Sequence, residues 1–217
     1  MSAHDHTRYP LDALPDGATC RSVSAQPGSY EGRAALRVAL PEHVRVHGRP
    51  GVDFIDQPTF VILPIQLGEG RIEVDICSEL LPDAPDYARG FAGLAFAVVD
   101  DASTFEAVYV RPYNGRNVVE DPVRRSRAVQ YFSYPDWPFN RLRDERDGEG
   151  FESGADIAPG RWLHLVVEFD ERTVRAEVDG TEVLNRGRLS GGQGAVGLFV
   201  DIGTDAYFTD LVVTPAN

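Results

Sequence analysis

The strongest constraint on this chain is that its apolar residues recur every second position and seldom every third or fourth. Residues 71–77 read RIEVDIC, with Ile72, Val74 and Ile76 on one side and Arg71, Glu73 and Asp75 on the other. That is the pattern of a strand with one face buried and one in water. Residues 161–170 repeat it, placing Leu163, Leu165, Val167 and Phe169 inward and Trp162, His164, Val166 and Glu168 outward. Further strand candidates occupy 34–40, 59–65, 90–99, 104–111, 128–133, 173–178, 181–184, 194–200 and 206–213. Asp179-Gly180, between two of them, is a two-residue hairpin signal. No segment of ten or more residues shows helical periodicity, and 41–58 and 80–88 read as loops. An all-β fold follows, a two-sheet antiparallel sandwich with very little helix. The chain of 217 residues is long enough for one such domain over residues 18–217, preceded by a polar, flexible N-terminal arm over 1–17.

Composition narrows the partners. Hydrophobic content is 42% with no apolar run of spanning length, which argues against a membrane protein. A pI near 4.7 argues against nucleic acid, because the phosphate backbone meets an opposing field. Every basic side chain other than histidine is arginine, so a Schiff-base lysine is excluded. Cys20 and Cys77 have no metal-like spacing and read as reduced thiols. The N-terminus has no secretory core region, so the expected location is the cytoplasm, or outside the cell if a signal has been removed. Asp201 and Asp205 bracket Gly203 and offer a weak structural calcium site; no other cofactor is expected.

Charge is distributed unevenly. Between positions 109 and 143 seven arginines (111, 116, 124, 125, 127, 141, 143) stand against three acids (Glu120, Asp121, Asp136), within a chain of net charge −13. Four tyrosines (109, 113, 131, 134), Trp137, Asn114 and Gln130 lie among them. Guanidinium forks beside aromatic faces suit a polar, ring-shaped or anionic small ligand. Strand parity adds geometry: Tyr109 and Arg111 share one face of their strand, and Gly93, Ala95 and Ala97 form the small face of the preceding one. If the two strands pair, those small side chains leave room for a groove beside Tyr109 and Arg111.

Four stretches, ARGFAGLAFAV, FEAVYVRPYNGR, RAVQYFSYPDWPFNRLR and GAVGLFVDIGTDAYFTDLVV, resemble a bacterial group of concanavalin A-like jelly-roll proteins. That group is related to the laminin-G-like and 3-keto-disaccharide hydrolase domains. The resemblance spans roughly 71–214. It implies two curved sheets with ligand on the concave face of one, and it points to the region of Tyr109, Arg111, Asn114, Arg116, Gln130, Tyr131 and Asp136. The wider superfamily holds lectins, glucanases, polysaccharide lyases and non-catalytic modules, so activity does not follow from it.

Retaining glycosidases of this fold use closely spaced carboxylates, and here only Glu73/Asp75 offers that spacing, on a strand with an ordinary charged face. No nucleophile elbow, phosphate loop or zinc-protease motif is present. The expected function is therefore binding, and in an enzymatic alternative processing, of a small carbohydrate, glycoside or other polar cyclic metabolite. The enzyme would be a lyase, isomerase, cyclase or glycoside hydrolase with Tyr109, Arg111, Tyr131 and Asp136 as its catalytic set. Asn114, Arg116, Arg124, Gln130, Tyr134, Trp137, Arg141 and His164 would bind substrate. A non-catalytic interaction module is the remaining alternative.

Overall fold

A computed structural model describes residues 6–216. In chain order the elements are β1 Thr7–Tyr9, β2 Thr19–Arg21, β3 Ser24–Tyr30, β4 Arg33–Ala39, α1 Glu42–His47, β5 Phe60–Leu67, β6 Gly70–Leu80, β7 Ala92–Val98 and β8 Phe105–Val110. A 3₁₀ turn over Pro112–Asn114 follows, then α2 Pro122–Arg125, β9 Val129–Tyr134, α3 Phe139–Arg146, β10 Glu152–Ser153, β11 Leu163–Phe169, β12 Thr173–Val178, β13 Thr181–Gly187, β14 Gly194–Val200 and β15 Thr204–Pro215. The strands form two antiparallel sheets. One runs β13-β12-β11-β6-β15-β4-β3, with β1 also paired to β15; the other runs β10-β9-β8-β7-β14-β5-β2. We call them the β6 sheet and the β8 sheet.

Alternation decides the core. Ile72, Val74, Ile76, Leu165 and Val167 of the β6 sheet, together with Leu94, Phe96, Val108 and Leu198 of the β8 sheet, are fully buried. Phe96 and Phe169 stack across the gap with ring centroids 4.5 Å apart. Truncating such a ring leaves a cavity and costs about 3–5 kcal/mol.

The opposite side of the β8 sheet is where the expected groove departs from what forms. Gly93 does pair with Tyr109 and Ala95 with Ala107, and a Cβ at position 93 would collide with the Val108 carbonyl oxygen and the Tyr109 backbone. The space above these small residues is filled, however, by Phe60, Phe105, Tyr109, Phe132 and Phe199, whose rings contact one another at 5.0–5.7 Å. Most of that face is packed with apolar side chains that join the same hydrophobic cluster as the residues between the sheets. Only its end, beyond Tyr109, is hollow.

Two further differences follow from local chemistry. The segment expected as a flexible arm is docked over its described part: Thr7–Tyr9 pairs with Leu211–Val213, Leu11 is buried, and the Pro10 carbonyl accepts from Asp210 N–H and the Thr209 hydroxyl. Residues 1–5 lie outside the described residues. Short helices form where none was expected: α1 lies in the 41–58 stretch read as a loop and starts directly after Pro41, α3 starts directly after Pro138, and α2 starts on Pro122 with the Asp121 carboxylate capping Val123 N–H at 2.9 Å. Runs of four to eight residues are too short to show a helical period.

Candidate functional site

The hollow end of the β8 sheet is a pocket of about 260 Å³. Tyr109 and Phe91 form its floor, Asn114 and Arg124 one wall, Phe139 and Arg143 another, and Ile55, Asp56, Asp201 and Ile202 a third, with Arg89, Arg111 and Arg127 completing it. Tyr87, 45% exposed, stands at its mouth.

Arg111 is the hub. It follows β8 directly, and its guanidinium is buried over the Tyr109 ring, 5.0 Å from the centroid. One terminal nitrogen donates to the Tyr109 hydroxyl at 2.8 Å and to Gln130 Oε1 at 3.0 Å. The other donates to Glu152 at 2.5 Å and to the Arg127 carbonyl at 3.2 Å. Tyr109 and Gln130 are direct cross-strand partners, as are Gln130 and Glu152, so three adjacent strands supply these groups in one row. The fork expected to grip a ligand is thus spent on protein, and Arg111 positions the pocket instead.

Glu152 gathers three guanidinium groups: Arg111, Arg143 at 2.5 Å and Arg127 at 3.3 Å. Burial alone would raise its carboxyl, but hydrogen bonds and charge from Arg143 and Arg111 win and hold it below the usual glutamate value.

The acidic wall depends on backbone strain. Ile55 and Asp56 both adopt left-handed conformations, at φ 69° and 54°, which a β-branched residue strongly disfavours. The buried Asp201 carboxylate holds them there, accepting from Ile55 N–H at 2.9 Å, Asp56 N–H at 2.9 Å and Ile202 N–H at 2.6 Å. Asp56 is thereby presented to the pocket. Its carboxylate accepts from Phe139 N–H at the start of α3 at 2.6 Å and from the Tyr109 hydroxyl at 3.3 Å. Burial outweighs these bonds and the nearby Arg111, lifting the Asp56 carboxyl to about 7. Burial likewise pushes the Tyr109 phenol well above its ordinary value, so Tyr109 serves as a neutral hydroxyl.

Of the residues expected from sequence, Tyr109, Arg111, Asn114 and Arg124 line this pocket, and Gln130 supports it from behind. The others lie elsewhere, for definable reasons. Tyr131 has the opposite parity to Gln130. It therefore stacks on Phe96 in the core between the sheets, its hydroxyl accepting from Leu189 N–H; it is a scaffold residue. Glu106, of the same parity, is buried against Arg188. Asp136 is an exposed turn residue away from the pocket lining. Trp137 carries the guanidinium groups of Arg141 and Arg146 on its ring, and Arg141 pairs with Glu145 on the surface of α3. Tyr134 stacks on Phe105. Arg116 is exposed, bonded to the Gly154 carbonyl and paired with Asp156. His164 belongs to the β6 sheet, between Asp75 at 2.7 Å and Glu73 at 3.3 Å; those contacts also occupy the carboxylate pair that glycosidase spacing had singled out. Asp201 and Asp205 do not converge, since Asp205 pairs with Arg37 at 2.6 Å.

No family model matches the sequence, and no curated protein does. The structure, in contrast, is similar to many solved ones. It matches the carbohydrate binding module CBM66 from Bacillus subtilis at 14% identity and TM-score 0.53, covering 88% of this chain and 94% of that one. It matches a Bacillus subtilis protein of unknown function with a galectin-like fold at 13% identity and TM-score 0.56, over 96% and 94%. It also matches domain 4 of AbnA, a GH43 extracellular arabinanase from Geobacillus stearothermophilus in complex with arabinotriose, at 13% and 0.52, over 96% and 91%. The fold is a two-sheet antiparallel jelly roll.

Within that jelly roll, several residues of the pocket escape sequence reasoning. Asp56, Asp201, Tyr87 and Arg89 come from three loops far apart in the chain, and no spacing rule joins them. For Tyr87 and Arg89 the available signal is weak: a tyrosine and an arginine two apart in an otherwise acidic, proline-rich loop.

Proposed function

We propose that this protein binds a small carbohydrate in the pocket at the end of the β8 sheet. The observation that carries this reading is the Tyr87 ring, exposed at the mouth of a pocket whose walls are guanidinium, amide and carboxyl groups. A sugar ring offers an apolar face for an aromatic and a rim of hydroxyls for such donors and acceptors. The similar structures, a carbohydrate binding module and an arabinanase domain in complex with arabinotriose, support the same reading. At about 260 Å³ the pocket sits below the roughly 300 Å³ at which drug-sized sites begin, which suits a single ring and its substituents. The test is calorimetric titration with a panel of mono- and trisaccharides, on the native protein and on Tyr87→Ala. Saturable binding that Tyr87→Ala weakens about tenfold or more without lowering Tm supports the reading. Native protein that binds none of the panel, or a Tyr87→Ala variant that binds as well as native, overturns it.

One observation favours an added catalytic step. The Asp56 carboxyl, poised near pH 7 and 3.3 Å from the Tyr109 hydroxyl, has the proton affinity of a general acid or base at neutral pH. In this reading Asp56 exchanges a proton with the ligand, its carboxyl aimed by the Phe139 amide and the Tyr109 hydroxyl, and Arg111 keeps that hydroxyl in place. Incubation of a bound saccharide with native protein and with Asp56→Asn, followed by product analysis, decides it. Turnover lost in Asp56→Asn with binding retained is expected; no turnover of any bound saccharide refutes the step.

A further inference from the structure

We infer that the saccharide taken by this pocket is acidic, its anionic group seated between Arg89 and Arg124. This rests on the reading of the pocket as a carbohydrate site and adds the class of carbohydrate.

The argument is one of charge and of unused donors. Five guanidinium groups line the pocket (Arg89, Arg111, Arg124, Arg127, Arg143) with two carboxylates, Asp56 and Asp201; Glu152 pairs with Arg111 beside it, and Asp86 acts on Arg89 by charge without a salt bridge. Glu152 is shared by three of the five, and Asp201 is saturated by three backbone N–H groups. Asp56 is turned to the Phe139 amide and the Tyr109 hydroxyl.

That leaves Arg89 and Arg124 without an ion pair among the described residues. Both are nonetheless held firmly along one edge. Arg89 donates from one terminal nitrogen to the Asp86 and Ala88 carbonyls, each at 2.6 Å. Arg124 donates from Nε to Asn114 Oδ1 at 3.0 Å and from Nη2 to the Tyr113 carbonyl at 2.9 Å. The remaining N–H groups of two pre-oriented forks are therefore free to meet a planar anion, at little ordering cost. The forks also repel each other: after burial, the charges of Arg124 and Arg111 weaken the hold of Arg89 on its proton, and the opposing charge of Asp86 does not cancel them. A neutral sugar leaves that repulsion in place, whereas a carboxylate or sulfate ester relieves it.

The test compares glucuronate, galacturonate and mannuronate, each beside its neutral hexose, with the matching sulfated hexoses as a third arm and sodium acetate and sulfate as ring-free anions. Binding is measured at about 0.05 and 0.5 M NaCl on native protein and on Arg89→Gln and Arg124→Gln, with Tm recorded for each. The expected result is at least one acidic sugar bound about 10- to 100-fold tighter than its neutral partner, the gain of a charge-assisted hydrogen bond. The preference should shrink at high salt and collapse in both variants while Tm holds. A uronate preference assigns a carboxylate; a preference for the sulfated sugar assigns a sulfate ester. Neutral and acidic sugars bound equally well overturn the inference and leave the carbohydrate reading intact. Acetate or sulfate bound as tightly as any acidic sugar overturns it too, by making the site a bare anion site. Binding of nothing in the panel removes the carbohydrate reading itself.

Discussion

The two sheets carry their arginines in opposite ways. On the outer face of the β6 sheet the arginines of β4, β6 and β12 have acids within reach and usually more than one. Arg71 bonds Glu73 and Glu168, Arg33 bonds Asp75 and Asp210, Arg37 bonds Asp205, and Arg175 reaches Glu168, Glu177 and Glu182. At the end of the β8 sheet the ratio inverts, with one carboxylate, Glu152, shared by three guanidinium groups and two more, Arg89 and Arg124, without an ion pair among the described residues. An exposed, self-neutralised lattice of charges contributes little to stability and asks for no ligand. A buried, under-neutralised cluster is expensive to hold. Its presence in an acidic protein is the physical reason for placing function there.

The sharpest way to break this contrast is to remove Glu152. Glu152→Ala strands Arg111 in the interior with Arg127 and Arg143 beside it, and breaking a buried pair in this way costs about 3–5 kcal/mol. Urea denaturation measures it, and the same experiment on Arg71→Ala gives the reference for the β6 sheet, where about 1 kcal/mol or less is expected. Equal losses from the two variants would mean the pocket arginines are as well solvated as the surface ones.

Asp56 sharpens the contrast through pH. Its carboxyl is raised from 3.8 to about 7 in the folded protein, so the folded state binds this proton more tightly than the unfolded state does. The resulting stabilisation is complete below the unfolded value near 3.8 and is lost as pH rises through about 7. Native protein should therefore lose stability across that window, and Asp56→Asn should flatten the curve there. Acidic-ligand affinity should fall only as pH rises through about 7 in native protein and stay level there in the variant, because an ionised Asp56 adds a negative charge to the wall. A native curve that is already flat between pH 4 and 7 would show that Asp56 ionises normally.

How much of this was legible in the sequence depends on which faces are buried. β6 and β11 alternate because only one of their faces is covered, and that alternation reads directly as strand, face and register. It also placed Tyr109 beside Gly93 and Arg111 at the end of the same face. β9 reads VQYFSY and is buried on both sides, so alternation there carries no inward or outward signal, and Gln130 and Tyr131, on opposite faces of the strand, both remain candidates for the site. Asp56, Asp201, Tyr87 and Arg89 were illegible for a different reason. The roles of Asp56 and Asp201 arise from a carboxylate in one loop bonding the backbone of another 145 residues away, and those of Tyr87 and Arg89 from a separate loop that meets them at the pocket; local pattern encodes neither relation.

The smallest expected effect comes from the β6 sheet and separates the two regions by window rather than size. His164 sits between Asp75 and Glu73 and is 43% exposed. Burial lowers its proton affinity, but hydrogen bonds and charge from those two carboxylates exceed that and raise it above the ordinary 6.5. A histidine raised in the fold contributes stability that is fully present below its unfolded value and is lost as pH rises through the folded one. The loss due to His164 should therefore begin near pH 6.5, where the loss due to Asp56 is nearly complete, and His164→Gln should remove only that upper part of the curve. Because the histidine is half in water, about 0.5 M NaCl should erase most of its contribution, while the Asp56 step, set by desolvation, should persist. A salt-sensitive step below pH 6 combined with a salt-insensitive one above it would reverse the assignment of the two regions.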